Sequence, residues 1–385
     1  MIKIENKIQC CGCQACVNIC PKKCIKMKLD KEGFEYPVVD EEKCIHCGLC
    51  EKVCHMHGDE IYEMNEPVKQ LEFYAAYNKD IETMKKSSSG GIFWLLVQKI
   101  IEKKGIVYGA IQDSLYEVKH IRADNLEKAQ KMRKSKYLQS HINDTYQMVK
   151  EDLRKGKYVL FSGTPCQIAG LYSFLGENQK KLYTCDVVCH GVPSIKVFKQ
   201  YIECTEKKKK VKVKDICFRD KIHGWGPNYV SLKLENGKKI SNVSIENTFQ
   251  LGFLQNIYLR PSCYSCRYAR LPRIGDISLA DFWGYNGPLQ KNNKNRGLSA
   301  IIISTQKGKE LFEMIKSNIE YHEVEKEFLT SKSRHVYIHP EVNTQREEFF
   351  KDFNNMDFET LTKKYGIYIV IKKKISNHIP IKLRR

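Results

Sequence analysis

Apolar residues recur along the middle of the chain at two periods, and the period predicts the element. Residues 92–103 repeat apolar side chains at helical spacing and stop short of Gly105, a residue suited to a helix C-cap. Residues 142–154 read as a further helix. Short continuous apolar runs at 106–111, 158–162, 182–188, 277–282 and 298–304 read as buried strands, and 72–77 as another. Between 158 and 188 the order is strand, helix, strand. Thr164 is placed to cap that helix with Pro165 at its first position, and Pro193-Ser194 opens the next. Residues 229–243 read as a hairpin turning at Asn236-Gly237. Residues 246–258 read as a helix, and another follows the strand at 298–304 through Lys316. The fold class expected is α/β (α+β), a mixed body with a partly parallel sheet.

The N-terminus follows a different rule. Cys10, Cys13, Cys16 and Cys20, then Cys44, Cys47, Cys50 and Cys54, both keep the spacing C-x2-C-x2-C-x3-C. In such a loop every third residue points inward, three thiolates hold one cubane, and the fourth reaches the other cluster. The expected ligand sets are Cys10, Cys13, Cys16 with Cys54, and Cys44, Cys47, Cys50 with Cys20. Structural zinc is the competing reading. Gly33-Phe34-Glu35-Tyr36-Pro37 between the runs suggests a short hairpin. His55 stands where such a run commonly has proline and is expected to alter loop stiffness rather than to ligate. Cys11 and Cys24 fall outside the pattern and read as spare buried thiols.

At 385 residues the chain is too long for one core. The expected division is a dicluster 4Fe-4S ferredoxin domain over 1–60, a linker, body regions over 72–155 and 156–330, and a helical, basic tail over 331–385. No secretory h-region or membrane-length apolar run is seen, and thiolate ligands must stay reduced, so a cytoplasmic protein is expected. The formal charge of +20 attracts anions: a phosphorylated cofactor, an acidic partner or a membrane surface. No helix-turn-helix, RNP or finger pattern accompanies it, which argues against nucleic acid. A lysine-rich solvated surface explains the charge as well. The last 25 residues hold eight Lys or Arg and no acid. They read as a terminal element packed on the body, or as a peripheral contact with an anionic membrane.

Three motifs in the second half carry chemistry. Ser162-Gly163-Thr164-Pro165-Cys166-Gln167 places a thiol in a helix's first turn, where the helix dipole is expected to favour thiolate. Asp186-Val187-Val188-Cys189-His190-Gly191 lies at the next strand's end, which faces the same crevice in a parallel sheet. Cys263-x2-Cys266 precedes Gly275-Asp276-Ile277 and Asp281-Phe282-Trp283-Gly284. Cys166, Cys189, Cys263 and Cys266 together suit a third cluster, a zinc site, or separate buried roles. Cys204 and Cys217 read as packing residues. The loop Ser87-Ser88-Ser89-Gly90-Gly91 opens a helix and suits an anion, although an ordinary N-cap explains it equally. G-x-G-x-x-G, Walker and C-x3-C-x2-C motifs are absent.

Taken together, Ser89-Gly90-Gly91, Lys136-Tyr137-Leu138-Gln139-Ser140, the Cys166 and Cys189 motifs, Cys263-x2-Cys266 and the Asp276 to Gly284 stretch resemble the coenzyme F420 hydrogenase/dehydrogenase beta subunit family over residues 72–330. The N-terminal runs resemble bacterial-type dicluster ferredoxins. The resemblance implies a flavin, usually FAD, near Ser89, Gly90, Gly91, Lys136 and Gln139, and cluster thiolates at Cys166, Cys189, Cys263 and Cys266. It implies hydride exchange between flavin and the deazaflavin coenzyme F420, or another two-electron partner, with single electrons leaving through the clusters. It singles out no catalytic side chain. The alternatives are a non-catalytic electron-transfer subunit serving a partner enzyme, or a ferredoxin-linked reductase in a surface-polysaccharide pathway. Each requires a redox partner protein, and the oligomeric state is left open.

Overall fold

The computed structural model describes residues 1–57 and 66–368. The far end of the basic tail and most of the expected linker lie outside these residues. Among the described residues, nine strands form one sheet. Its order is Ile319–Glu323, Pro67–Asn78, Ser299–Thr305, Ile277–Asp281, Leu182–Val187, Val159–Gly163, Ile106–Ser114, Glu117–Ala123 and Ser140–His141. The four strands Ile106–Ser114, Val159–Gly163, Leu182–Val187 and Ile277–Asp281 run parallel, and antiparallel pairs flank them. The expected partly parallel α/β sheet is therefore present.

Burial explains why these runs are strands. All seven positions of Ser299–Thr305 are buried, so both sheet faces are covered and the sequence is a continuous apolar run rather than an alternation. On one face, Ile92–Glu102 and Gln306–Ile315 pack Leu96, Ile100, Leu311 and Ile315 on Val107, Leu160, Ile277 and Ile301. On the other, Pro165–Leu175 and Thr145–Arg154 pack Ile168, Leu171, Tyr146 and Val149 on Tyr108, Val159 and Phe161. Pro165–Leu175 starts where the sequence says it should. Gln167 Oε1 accepts from the Thr164 amide at 3.0 Å, and Gly176, at φ +73°, ends the helix.

A second sheet of three antiparallel strands, Val213–Asp220, Tyr229–Leu234 and Lys239–Val243, carries the expected hairpin. It shares a core with the helices Ile195–Lys209, Thr248–Leu254, Arg346–Phe353 and Phe358–Lys364. Two segments expected as loop contribute edge strands instead. Ser140–His141 is too short and polar to show a period, and Glu117–Ala123 alternates in charge as much as in burial.

The N-terminal module packs into both of these cores. Phe34 and Tyr36, from the antiparallel pair Ile25–Leu29 and Glu35–Val39, join the helical core around Phe349. Ile2, Ile25 and Val53 join the core under Pro165–Leu175. Polar bonds lock the seam. Gln14 Oε1 accepts from the amides of Ile142 and Asn143 at 3.0 and 2.9 Å, Ser173 donates to Val53 O at 2.7 Å, and Arg346 pairs with Glu32 at 2.7 Å.

Candidate functional site

The N-terminal cysteines sit in two loops with the same backbone curl. Gly12 and Gln14 in the first run, and His46 and Gly48 in the second, all take left-handed φ, at 72°, 62°, 51° and 73°. The same two offsets in each run therefore turn the intervening thiols toward one side. Cys10, Cys13, Cys16 and Cys54 are close enough to repel one another electrostatically, and burial with these neighbours pushes Cys16 and Cys54 up. Cys20, Cys44, Cys47 and Cys50 line one hollow of about 20 Å³ with Cys24, whose Sγ is 3.4 Å from that of Cys20. Cys47 is exposed, so this second site lies at the surface. Buried neutral thiols of this density suit a polynuclear cation core, which would hold them as thiolates.

A third group of thiols forms inside the body. Cys166 lies in the first turn of Pro165–Leu175, Cys189 just beyond Leu182–Val187, and Cys263 and Cys266 in and after the turn Pro261–Ser265. All four line a hollow of about 40 Å³, together with Cys11. Val192 N donates to Cys263 Sγ at 3.4 Å, a polarity suited to sulfur carrying negative charge. The helix start does not make Cys166 acidic as expected. Its hydrogen bond with Cys11 and its burial push it up instead. Arg273 fixes the loop beyond Cys266. It is almost wholly buried, pairs with Asp186 at 2.5 Å and donates to the carbonyls of Tyr268 and Val336.

Beside this hollow, at the C-terminal edge of the parallel strands, a cleft of about 360 Å³ opens. Ser162, Gly163, Cys185 and Leu279 form its floor, and its walls come from the loops at 87–91, 132–140 and 188–192. Ser89, Gly91, Lys136 and Gln139 line it. Gly90 faces away, against Ala76 O and Ser299, where a Cβ would lie 2.6 Å from that oxygen. Gly91 precedes Ile92–Glu102 with no side-chain cap, leaving the first helical amides free for a ligand. Ser135 N donates to Ser88 Oγ at 2.8 Å, and Arg133 donates to Ser87 Oγ at 3.0 Å, so serines and a cation edge the same end.

Lys136 does not present its ammonium to the cleft as a free charge. Its Nζ donates to the carbonyls of Lys131, Met132 and Arg133, and burial brings its pKa down to about 7. His120, unmarked in the sequence, lies at the cleft with Nε2 2.9 Å from Ser162 O and Nδ1 2.7 Å from Ser140 Oγ. A carbonyl requires a donor, so Nε2 carries the proton and Nδ1 accepts. Burial lowers this histidine to about 4 and keeps it neutral. Of the motif acids, Asp276 is structural: it accepts from Thr184 N and Thr305 Oγ1 at 2.7 and 2.6 Å. Asp281 lines the cleft and pairs with Arg219. Cys204 and Cys217 stand apart from every thiol group described above, Cys204 against the helical core and Cys217 beside Lys134.

Three residues missed by sequence reasoning join these parts. Cys11 interacts with the sulfurs of both Cys13 and Cys166, so one thiol stands between the N-terminal and body groups. His55 Nε2 lies 3.7 Å from Cys11 Sγ, and its Nδ1 lies 2.5 Å from Tyr268 Oη, two residues beyond Cys266. Arg260, fully buried, contacts Cys10 and Gln139. A single thiol, histidine or arginine carries no spacing signal, and only His55 drew notice in the sequence, by standing in place of proline.

Comparison with known proteins gives two family matches. Residues 156–327 match the family described as the C terminus of the coenzyme F420 hydrogenase/dehydrogenase beta subunit, and residues 9–57 match the 4Fe-4S dicluster domain. Ketoisovalerate oxidoreductase subunit VorC of Methanothermobacter marburgensis is 33% identical over 53 residues, 13% of this chain and 67% of that protein. Ferredoxin 7Fe of Hydrogenibacillus schlegelii is 33% identical over 66 residues, 17% of this chain and 76% of that protein. Among solved structures, a chain of the F420-reducing [NiFe] hydrogenase complex from Methanosarcina barkeri aligns at 18% identity and TM-score 0.47, over 78% of this chain and 93% of that one. No helix among the described residues is long and apolar enough to cross a membrane.

Proposed function

We propose, from the premise that this chain belongs to the coenzyme F420 hydrogenase/dehydrogenase beta subunit family and carries a 4Fe-4S dicluster domain, that it is an iron-sulfur flavoprotein oxidoreductase. One observation carries the reading. Thr164, Cys189, His190, Gly191 and Val192 line both the cleft and the four-cysteine hollow, so a two-electron site and a one-electron site share a wall. When bound, a flavin in the cleft and clusters on the cysteines supply interconversion of hydride with single electrons.

The chain's own residues then take these parts. Ser87, Ser88, Ser135 and Arg133 receive the anionic end of the flavin, with the free amides after Gly91. Lys136 ties its loop shut, and Gly90 lets the serine loop lie flat on the sheet. His120 stays neutral and holds the cleft floor to the Ser140 edge without adding charge. Cys166, Cys189, Cys263 and Cys266 hold a third cluster. Cys10, Cys13, Cys16 with Cys54, and Cys44, Cys47, Cys50 with Cys20, hold the other two. The exposed Cys47 end is where a redox partner protein takes or gives electrons. The hydride partner is coenzyme F420 or another two-electron carrier.

Anaerobic purification with cofactor extraction tests this. The expected result is a bound flavin with about twelve irons per chain. Clusters without flavin, in protein tightly held by a second subunit, would make it an electron-transfer subunit with no hydride chemistry of its own.

A further inference from the structure

We infer that Arg260 is a positioning residue that sets the reduction potential of the cluster held by Cys10, and so makes the two N-terminal clusters unequal. This rests on the reading that Cys10 ligates that cluster. Arg260 is 0% exposed. Its Nε donates to Cys10 O at 2.8 Å, and its Nη2 to Glu35 O at 2.7 Å and to Cys10 Sγ at 3.6 Å. Its Nη1 donates to Gln139 Oε1, on the cleft wall, at 3.0 Å. The guanidinium lies 4.6 Å from the centroid of the Tyr36 ring.

Among the described residues no carboxylate pairs with it. The nearest candidate, Glu35, turns its carboxylate to His141 at 3.2 Å. A guanidinium does not lose its proton in a protein, and a buried charge needs a counter-charge. The acidic groups within its reach are the sulfurs of Cys10, Cys11 and Cys263, together with the Tyr36 phenol. The close fit extends to the loop backbone: a Cβ on Gly12 would lie 2.9 Å from Nη1 and 2.7 Å from Gln139 Nε2.

A fixed positive charge in a dry setting stabilises the more negative, reduced form of whatever it faces. It therefore raises the potential at Cys10. The set at Cys20, Cys44, Cys47 and Cys50 has no such partner. Among the described residues its only side-chain or backbone donors are amides, such as Ile2 N to Cys50 Sγ at 3.3 Å, and Cys47 faces solvent. The structure thus places the electron-retaining cluster against the body and the less favoured one at the surface.

The test compares the full chain with R260M and R260Q, all purified anaerobically, by iron analysis and then by a redox titration followed by electron paramagnetic resonance. A wild-type chain with no cluster signal would sink the underlying reading before any variant is made. The expected result is unchanged iron and one signal shifted down. At fixed ambient potential its reduced-to-oxidised ratio falls about tenfold, equivalent to about 59 mV for a one-electron couple. The surface cluster keeps its wild-type value. R260Q keeps a donor for Cys10 O and carries the test if R260M does not fold. Full iron with both potentials unmoved in either variant overturns the inference. So does loss of the cluster from both variants, because a residue that only tunes potential does not decide occupancy.

Discussion

Cys44, Cys47 and Cys50 meet within a single loop, whereas Cys166, Cys189, Cys263 and Cys266 meet only where a helix start, a strand end and a distant turn converge. The first group needs little beyond its own backbone. Left-handed residues at matching offsets curl both N-terminal loops alike, and a pattern of that kind is written in consecutive residues. The second depends on parallel pairing of Val159–Gly163, Leu182–Val187 and Ile277–Asp281, and on Arg273 anchoring the Cys266 loop to Asp186. One thiol site is local and surface-exposed, and the other is a product of the sheet. Damage to the body should therefore spare the N-terminal loops.

Asp186→Asn presses hardest on that contrast. It leaves Arg273 buried without its anion, and about 3–5 kcal/mol of stability should be lost. Denaturation should start at a lower denaturant concentration, and iron associated with the body should leave before that of the N-terminal runs. A loss below about 1 kcal/mol would mean that the pair does not anchor the loop. Cys263→Ala should remove about four of about twelve irons and leave the other two cluster signals intact. Unchanged iron would dismiss the body cysteines as a cluster site.

Gly12→Ala probes the seam between the two regions. The residue must hold φ +72° with its new methyl against Gln139 and Arg260, and about 1–2 kcal/mol should be lost. Hydrogen exchange at the Ile142 and Asn143 amides, which bond Gln14, should speed up in step, and unchanged protection would show that the module docks independently of this loop.

The smallest effect concerns pH. The hydrogen bond to Glu35 raises the pKa of His141 above 6.5, so folding gains from the proton. That stabilisation is complete below the unfolded value and fades as pH rises through the folded one. Half exposed as the pair is, it contributes less than about 1 kcal/mol. His141→Gln should lie below wild type in stability near pH 6 and converge with it in mildly alkaline buffer; a gap that widens as pH rises would reverse the assignment.

Much of the body was readable from apolar period. The strands around 106, 159, 182, 277 and 299 and the capped helix at Pro165 fall where the pattern places them, because buried parallel strands and a capping box leave strong local marks. Lys136 shows the limit. A motif places it beside the cleft, yet only the folded loop reveals that carbonyls occupy its ammonium. Cys11 and Cys24 were legible only as extra thiols, and each lies beside sulfurs of the expected ligand sets.

By itself the amino-acid order determined the paired cysteine loops, the strand-and-helix alternation and the family. Spacing within a loop and burial along a strand are set by residues that are neighbours in the chain. Which thiols share the body hollow, why Gln139 bridges cleft and module, and why Arg260 lies charged beside Cys10 were decided by tertiary structure alone. Those contacts join segments far apart in the chain, and their distances follow from strand order and the docking of the module, which no local period encodes.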